Sequence, residues 1–527
     1  MDIKTINEME KVTKKTMGGF TKVAISFVFI AIVFIWVSFT HSEVPHNEFL
    51  IIGAVFGAYM AMNIGANDVA NNVGPAVGSK ALTMFWAIIL AAVFEASGAL
   101  IAGGEVVKTI KKGIIDPGMI ENPEIFIWAM SAALLSAAIW LNLATSVGAP
   151  VSTTHSIVGG VMGAGIAAAG FSIVSWGTMG KIAASWVISP VLGGVIAASF
   201  LYFIKTKITY KEDMITNAKK IVPLLVSLMA MAFMTYLMLK GVKKIIKVDF
   251  VTALTIGTVF AFVTFFVVKP LIAKAASKLE NSKDSVNSLF TIPLIFAAAL
   301  LSFAHGANDV ANAIGPLAAI NDAVNSGGIN SKVGIPLWIM GVGAIGIAVG
   351  LALFGPKLIK TVGSEITELD QMRAFSIAMA AAITVIIASQ LGLPVSSTHI
   401  AVGGVFGVGF LREYLDRSDT KMLEAVRSKF KQDKKDLENL EKEFKKLDKK
   451  DDKSKADYER IVELYKIIDE KQALVKTEKK EFKEVKKIKY VKRDAVKKII
   501  AAWIITVPAA ATLSAVVFFT IKGIMTP

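Results

Sequence analysis

Apolar runs long enough to cross a lipid bilayer recur along this chain. Hydrophobic residues make up 54% of its 527 residues, and the mean hydropathy is +0.58. A run of about 18 or more apolar residues with few charges predicts a membrane-spanning helix. The main runs are 20–40, 81–103, 125–143, 176–204, 222–239, 250–268, 335–354, 372–390 and 499–519, and a shorter run lies at 49–63. The sequence therefore predicts an all-α polytopic protein with the lipid bilayer as its main solvent.

The charge of the chain has to be interpreted in that setting. A formal net charge of +15 would suggest nucleic acid in a soluble protein. Here the basic residues cluster at the ends of apolar runs and in one long insert, as in cytoplasmic loops, so we expect no nucleic-acid partner. The absence of cysteine excludes disulfides, thiolate metal sites and a cysteine nucleophile. Run 20–40 lacks a small-residue cleavage site, so we expect it to be retained as a span.

One polar motif interrupts the apolar pattern twice. Gly-Ala-Asn-Asp-Val-Ala-Asn occupies 65–71 and again 306–312, and each copy is followed shortly by Gly-Pro, at 74–75 and at 315–316. An ionisable residue at membrane depth costs a few kcal/mol, which favours a functional role over a simple hydrogen bond between helices. Broken helices occur at this depth where they line a cavity or are buried in protein. Carboxylate and amide oxygens suit a hard cation.

A second motif also occurs twice. Pro-Val-Ser-Thr-Thr-His lies at 150–155 and Pro-Val-Ser-Ser-Thr-His at 394–399. Proline favours an extended residue before it, so a short helix is expected to start near Val151. Hydroxyls, backbone N–H groups and a helix N-terminus together suit a tetrahedral oxyanion. For His155 and His399, hydrogen bonding into the helix start is favoured over proton relay.

The two motifs recur in the same order, which indicates an internal duplication. The sequence predicts the following divisions: 1–47, an N-terminal tail and extra transmembrane helix; 48–205, repeat 1; 206–287, a two-span connector; 288–411, the first part of repeat 2; 412–497, a charged cytoplasmic helical insert; and 498–527, the last helix of repeat 2.

Charge also predicts the topology. Lysines before the first span and in the insert place both in the cytoplasm, and the two Asn-Asp motifs then enter the membrane from opposite faces. Inverted repeats of this kind are typical of secondary transporters. Lys243, Lys244 and Lys247 would then lie outside, against the rule.

The motifs contain no lysine or arginine. Asp68 and Asp309 beside an anion would place at least three negative charges at membrane depth, so cations must enter with the anion. Sodium or protons could serve. Phosphate is favoured over sulfate because at neutral pH it keeps a proton to donate to a carboxylate.

Glu95 and one serine–histidine pair allow other interpretations. Glu95 lies mid-span, where a sodium ligand or gating carboxylate is favoured over a buried protonated acid; the second half has only Gly, Ala and Ile near 341–347. Ser152 and His155 are spaced like a hydrolase pair, but no acid follows to orient the histidine, so we do not expect an enzyme. A channel and a receptor remain alternatives.

The duplicated motifs resemble those of the inorganic phosphate transporter (PiT) family, whose animal members are sodium–phosphate symporters. The resemblance covers 48–205 and 288–522. It implies about twelve transmembrane helices in two inverted repeats with broken helices or re-entrant hairpins, frequent homodimers, and cotransport of phosphate with sodium, or with protons in some bacterial relatives. The extra span at 20–40 and the insert at 412–497 depart from the animal members, whose large loop lies between the repeats.

The resemblance also implies site residues, no cofactor beyond cotransported sodium, and a location in the plasma (inner) membrane of a prokaryote. The implied phosphate ligands are Asp68, Asn71, Ser152, Thr153, Thr154, Asp309, Asn312, Ser396, Ser397 and Thr398. The implied sodium ligands are Gly65, Asn67, Asp68, Glu95, Gly306, Asn308 and Asp309. Alternatives are a proton-coupled carrier of metal–phosphate and a related sulfate permease.

Overall fold

The computed structural model describes residues 3–120, 122–241, 248–327, 335–365, 368–418, 420–451, 453–486, 491 and 493–526. In these ranges the chain is helical and has no β-strand beyond an isolated bridge between Ile115 and Val174. Eleven helical segments of the described chain are long and apolar enough to span a membrane. The predicted all-α polytopic membrane fold is confirmed. The lysines at 243, 244 and 247 lie outside the described residues.

The helices follow the order of the apolar runs. Up to the connector they are α1 Ile3–Thr40, α2 Asn47–Asn67, α3 Val69–Gly78, α4 Met84–Ala102, α5 Gly104–Lys112, α6 Pro123–Val147, α7 Thr153–Ala169 and α8 Trp176–Ile204. The connector contains α9 Met214–Lys240, α10 Phe250–Ala276 and α11 Lys283–Leu289. The remaining helices are α12 Thr291–Asp309, α13 Ala311–Ser326, α14 Leu337–Lys360, α15 Gln371–Gln390, α16 Ser397–Ser418, α17 Thr420–Asp448, α18 Lys455–Lys486 and α19 Arg493–Met525.

Each Asn-Asp motif lies where two helices meet. One junction falls at Asp68, between α2 and α3, and the other at Val310, between α12 and α13. The Asp68 N–H donates to the Ile64 carbonyl at 2.9 Å, and the Asn71 N–H donates to the Asp68 carbonyl at 3.0 Å. These backbone N–H and C=O groups of the junction are thus hydrogen-bonded within the same segment, as burial at membrane depth requires. Each helix is interrupted at one residue of the motif, and both Asp68 and Val310 keep right-handed helical backbone angles.

Equivalent helices of the two halves pack reciprocally: α2 against α14, and α12 against α4. A Cβ at Gly65 would lie 1.9 Å from the Ile347 carbonyl oxygen, and one at Gly306 would lie 2.2 Å from the Glu95 carbonyl oxygen. Both crossings therefore need glycine, because only the absence of a side chain lets the backbones approach this closely. The contacts also identify Glu95 and Ile347 as equivalent positions.

The two Pro-Val-Ser motifs at 150–155 and 394–399, called the hydroxyl motifs from here on, lie at the starts of α7 and α16. The Ser152 hydroxyl accepts from the His155 N–H at 3.0 Å, and the Ser396 hydroxyl accepts from the His399 N–H at 3.2 Å. Helix α7 begins at Thr153 rather than near Val151, because Ser152 is the N-cap and the residues before it are extended. Downstream glycines pack against backbone: those of α7 against α19 and those of α16 against α8.

The chain forms two compact units, Met1–Val408 with Arg493–Pro527, and Gly409–Lys492. In the second unit, α17 and α18 pack together as a helical hairpin. Ion pairs such as Arg460–Glu443 at 3.0 Å link the two helices. A reciprocal capping box starts α18: the Asp457 N–H donates to the Ser454 hydroxyl at 3.2 Å, and the Ser454 N–H donates to the Asp457 carboxylate at 2.8 Å.

Candidate functional site

The Asp68 carboxylate receives one hydroxyl from each hydroxyl motif. Thr153, in the first turn of α7, donates to Oδ2, and Thr398, in the first turn of α16, donates to Oδ1. All three side chains are fully buried, at 0% exposure. Residues 85 and 330 positions away along the chain thus meet at one carboxylate. This contact unites the two motif types and both halves of the chain.

Two asparagines orient these threonines in a pseudo-symmetric way. Asn71 Nδ2 donates to Thr398 Oγ1 at 2.8 Å, and Asn312 Nδ2 donates to both Thr153 Oγ1 and Thr154 Oγ1 at 3.1 Å. Each of these hydroxyls accepts from an amide, so its own proton points to a different acceptor. For Thr153 and Thr398 that acceptor is Asp68.

The second aspartate lies beside the first. Asp309 Oδ2 accepts from the Ser397 hydroxyl at 2.9 Å and lies 2.8 Å from His305 Nε2. One ligand atom each from Asp68, His305 and Asp309 fall within 4.8 Å of one another. The structure therefore brings together the two acidic helix breaks that the sequence identified separately.

His305 is a site residue that the sequence analysis overlooked. Its Nδ1 forms a 2.7 Å hydrogen bond with Glu95 Oε2, while Asn72 Nδ2 donates to Glu95 Oε1 at 2.7 Å. His305 and Glu95 are both at 0% exposure. The available signal was position: His305 directly precedes the second motif within a buried apolar run. The motifs contain no lysine or arginine, but the His305 imidazole lies beside their carboxylates and can carry a positive charge.

This polar group has no counterpart across the pseudo-symmetry. Ile64 directly precedes the first motif, Ala313 replaces Asn72 in the second, and Ile347 is the packing equivalent of Glu95. Each of the three polar residues of this group thus matches an apolar residue in the other half of the chain. The asymmetry covers the whole contact set and not Glu95 alone. Both Glu95 oxygens already have protein partners, and its role as a sodium ligand stays a prediction.

Other predicted residues support the site from its edges. Asn67 Nδ2 donates to Thr145 Oγ1 at 2.9 Å, and Asn67 Oδ1 accepts from the Val151 N–H at 3.1 Å, which fixes the turn before α7. Asn308 Nδ2 donates to Ser389 Oγ at 2.9 Å on α15. The remaining predicted residues occupy helix caps or helix crossings: Ser152, Ser396, Gly65 and Gly306.

Several buried acceptors of the site lack a protein partner. Among the described residues these include Asn71 Oδ1, Asn72 Oδ1 and Asp309 Oδ1. Buried polar atoms are nearly always paired, so unpaired oxygens beside carboxylates are suited to a bound cation. With three carboxylates and one imidazole buried together, the group carries excess negative charge whenever all three acids are ionised, and that charge needs compensation.

The two motif histidines form an edge-to-face pair. The His155 and His399 rings lie 4.4 Å apart, and each also lies against a tryptophan, Trp186 at 3.8 Å and Trp503 at 3.7 Å. Their backbone N–H groups bond to the serine caps, as described above. The histidine pair joins the starts of α7 and α16.

Comparison with known proteins agrees with this architecture. Residues 64–514 match the model of the phosphate transporter family. A Helicobacter pylori protein named "Putative phosphate permease" is 52% identical over 525 residues, covering 98% of each chain. A Pyrococcus abyssi protein of the same description is 39% identical over 366 residues, covering 69% of this chain and 90% of the relative.

One solved structure is similar over most of the fold. It is described as "The sodium-dependent phosphate transporter", is 33% identical, and superimposes with a TM-score of 0.73 over 91% of this chain and 100% of that chain. The duplicated motifs, the buried acidic site and the matches over most of the chain lead to one conclusion: this protein belongs to the phosphate transporter family.

Proposed function

We propose that the protein imports inorganic phosphate together with sodium ions, by alternating access, across the inner membrane of a prokaryote. The observation that carries this proposal is the Asp68 carboxylate, which takes hydroxyls from both halves of the chain and lies beside Asp309. Reciprocal packing of α2 on α14 and α12 on α4 supports two inverted repeats around this site. A homodimer stays a prediction from the family resemblance.

The hydrogen bonds suggest how anion and cation depend on each other. Thr153 and Thr398 each have one proton, which they donate to Asp68. A phosphate oxygen at the starts of α7 and α16 would compete for those protons. Asp68 would then lose its hydroxyl donors and need a cation in their place. Sodium, which prefers oxygen ligands, meets that need. A protonated phosphate oxygen could also donate to a carboxylate, which sulfate cannot do.

Flux into proteoliposomes tests this proposal. Labelled phosphate should accumulate when an inward sodium gradient is imposed and should not when sodium is replaced by potassium. Asp68→Asn and Asp309→Asn should each abolish or strongly reduce uptake. Asp284→Asn, at an exposed position of α11, is the matched control and should retain it. Wild-type uptake in both site variants would overturn the site assignment, and equal uptake of sulfate would overturn the choice of substrate.

A proton-coupled carrier of phosphate or metal–phosphate is the second candidate, and His305 favours it. An imidazole is a common proton carrier and a poor partner for sodium, and this one contacts both Glu95 and Asp309. A pH gradient without sodium separates the two mechanisms. Uptake under that gradient alone would support proton coupling, whereas its absence would support sodium.

A further inference from the structure

A cavity of about 690 Å³ lies between α1, α2, α6 and α14. Its lining includes neither aspartate of the site nor the threonines that bond to Asp68; the link to the site is Thr145, which lines the cavity and accepts a hydrogen bond from Asn67. Its wall is mainly apolar and includes Val23, Phe27, Ile30, Phe56, Met62 and Leu135. Sites of about 300–1,000 Å³ hold organic molecules of moderate size. The volume and the lining suit a hydrocarbon chain better than an inorganic ion.

The cavity is accessible from the bilayer side of α1. Val23 and Phe27, which line it, are 47% and 68% exposed at the surface of this span. Exposed surface at that depth contacts lipid chains rather than water. An occupant can therefore enter laterally from the membrane.

One end of the cavity is basic. Lys22 of α1 and Lys357 of α14 both line it and both are exposed. At the other end of the same two helices, the Trp36 and Trp338 rings lie 5.8 Å apart. The segment of α14 from Trp338 to Lys357 rises about 28 Å and that of α1 from Lys22 to Trp36 about 21 Å, so most of the hydrocarbon thickness of about 30 Å separates the lysines from the tryptophans. The lysines therefore lie at one membrane interface and the tryptophans near the other, a common anchoring pattern.

Lys357 is held in place with donors to spare. Its Nζ donates to the Ser146 carbonyl at 2.6 Å, in the last turn of α6. An ammonium group has three donors, so this bond leaves two for a ligand. Asn142 and Ser146 provide further polar groups in the wall of the cavity.

We propose that this cavity binds an anionic phospholipid, with an acyl chain along the apolar wall and the headgroup phosphate on Lys22 and Lys357. Basic pockets between transmembrane helices recognise anionic headgroups in this way, since the lysines attract the net charge and the apolar wall takes the chain. A zwitterionic lipid offers the same chain without net charge and should bind less. The inference does not depend on which cation drives transport.

Native mass spectrometry of the purified full-length protein, with added phosphatidylglycerol or phosphatidylethanolamine, tests the proposal. The wild type should retain phosphatidylglycerol in preference. The double variant Lys22→Ala/Lys357→Ala should lose about tenfold or more of that retention. The matched control, Lys269→Ala/Lys274→Ala, removes two exposed lysines of α10 and should retain lipid like the wild type.

A second variant tests the cavity without changing charge. Val55→Trp places a large side chain in the cavity wall and should also reduce phosphatidylglycerol retention, so the test does not depend on the lysine variant folding. Equal retention by wild type and both cavity variants would overturn the proposal. Equal binding of phosphatidylethanolamine would also overturn it. Displacement of the lipid by excess inorganic phosphate would overturn it too, because the two lysines would then bind a free anion.

Discussion

Replacement of Gly65 by alanine should disable the site without altering any of its polar atoms. A Cβ at this position would lie 1.9 Å from the Ile347 carbonyl oxygen and 2.8 Å from the Leu351 nitrogen. Ordinary contact begins at 3.4 Å, so α2 and α14 would have to separate by about 1.5 Å at their crossing. Both obstructing atoms belong to backbone, and no side-chain rotation can relieve the contact.

The effect of that separation follows from the position of Asp68, three residues beyond Gly65. Side-chain hydrogen bonds are lost beyond about 3.5 Å, so a shift of this size would break the contacts of Asp68 with Thr153 and Thr398. Overpacking costs about 1–3 kcal/mol in stability, and a misplacement of about 1 Å can reduce activity about a hundredfold. We expect Gly65→Ala to lower sodium-driven phosphate uptake by about that factor and to lower the melting temperature.

Uptake by proteoliposomes and thermal unfolding in detergent measure the two effects. Gly341→Ala is the matched control, because it lies on α14 and a Cβ there would meet nothing within 4 Å. Alanine is preferred over glycine in a helix by about 1 kcal/mol, so the control should be neutral or slightly stabilised. Wild-type uptake and stability in Gly65→Ala would refute the close crossing of α2 and α14.

Three further outcomes are expected. Thr398→Val removes one hydrogen-bond donor from Asp68 and one acceptor from Asn71 and should lower phosphate uptake about tenfold, whereas Thr398→Ser should retain most of it; equal uptake by the two would contradict the hydroxyl's role. Glu95→Gln and His305→Gln should each lower uptake, and the double variant should be no worse than the poorer single one because the two residues share one contact; additive losses would count against coupling. In the insert, the Lys450 ammonium and the Ser454 cap lower the pKa of Asp457 to about 2. The stability that these contacts contribute is therefore complete above the ordinary pKa of 3.8 and is lost as the pH falls toward 2. Amide exchange in the first turn of α18, corrected for intrinsic rates, should become faster over that pH range in the wild type and not in Asp457→Asn.

Sequence by itself determined the features that depend on local composition. Apolar runs predicted the spanning helices because burial in lipid needs only length and hydrophobicity. Gly, Pro and Asn near an aspartate predicted the breaks at Asp68 and Asp309, because these residues interrupt a helix at membrane depth. The proline of the first hydroxyl motif similarly predicted the start of α7, apart from a shift of two residues.

Only the tertiary structure decided which of these features meet. Thr398 reaches Asp68 from 330 residues away, and Glu95 reaches His305 across 210; no local pattern encodes such contacts, because they depend on which helices of the whole core pack together. The same holds for Gly65, whose position at a close helix crossing is visible only in the structure. The cavity beside α1 likewise exists only because α1 packs against α2 and α14. Local sequence chemistry therefore determined the helices and the motifs, and long-range packing of the helices determined which motif residues are in contact.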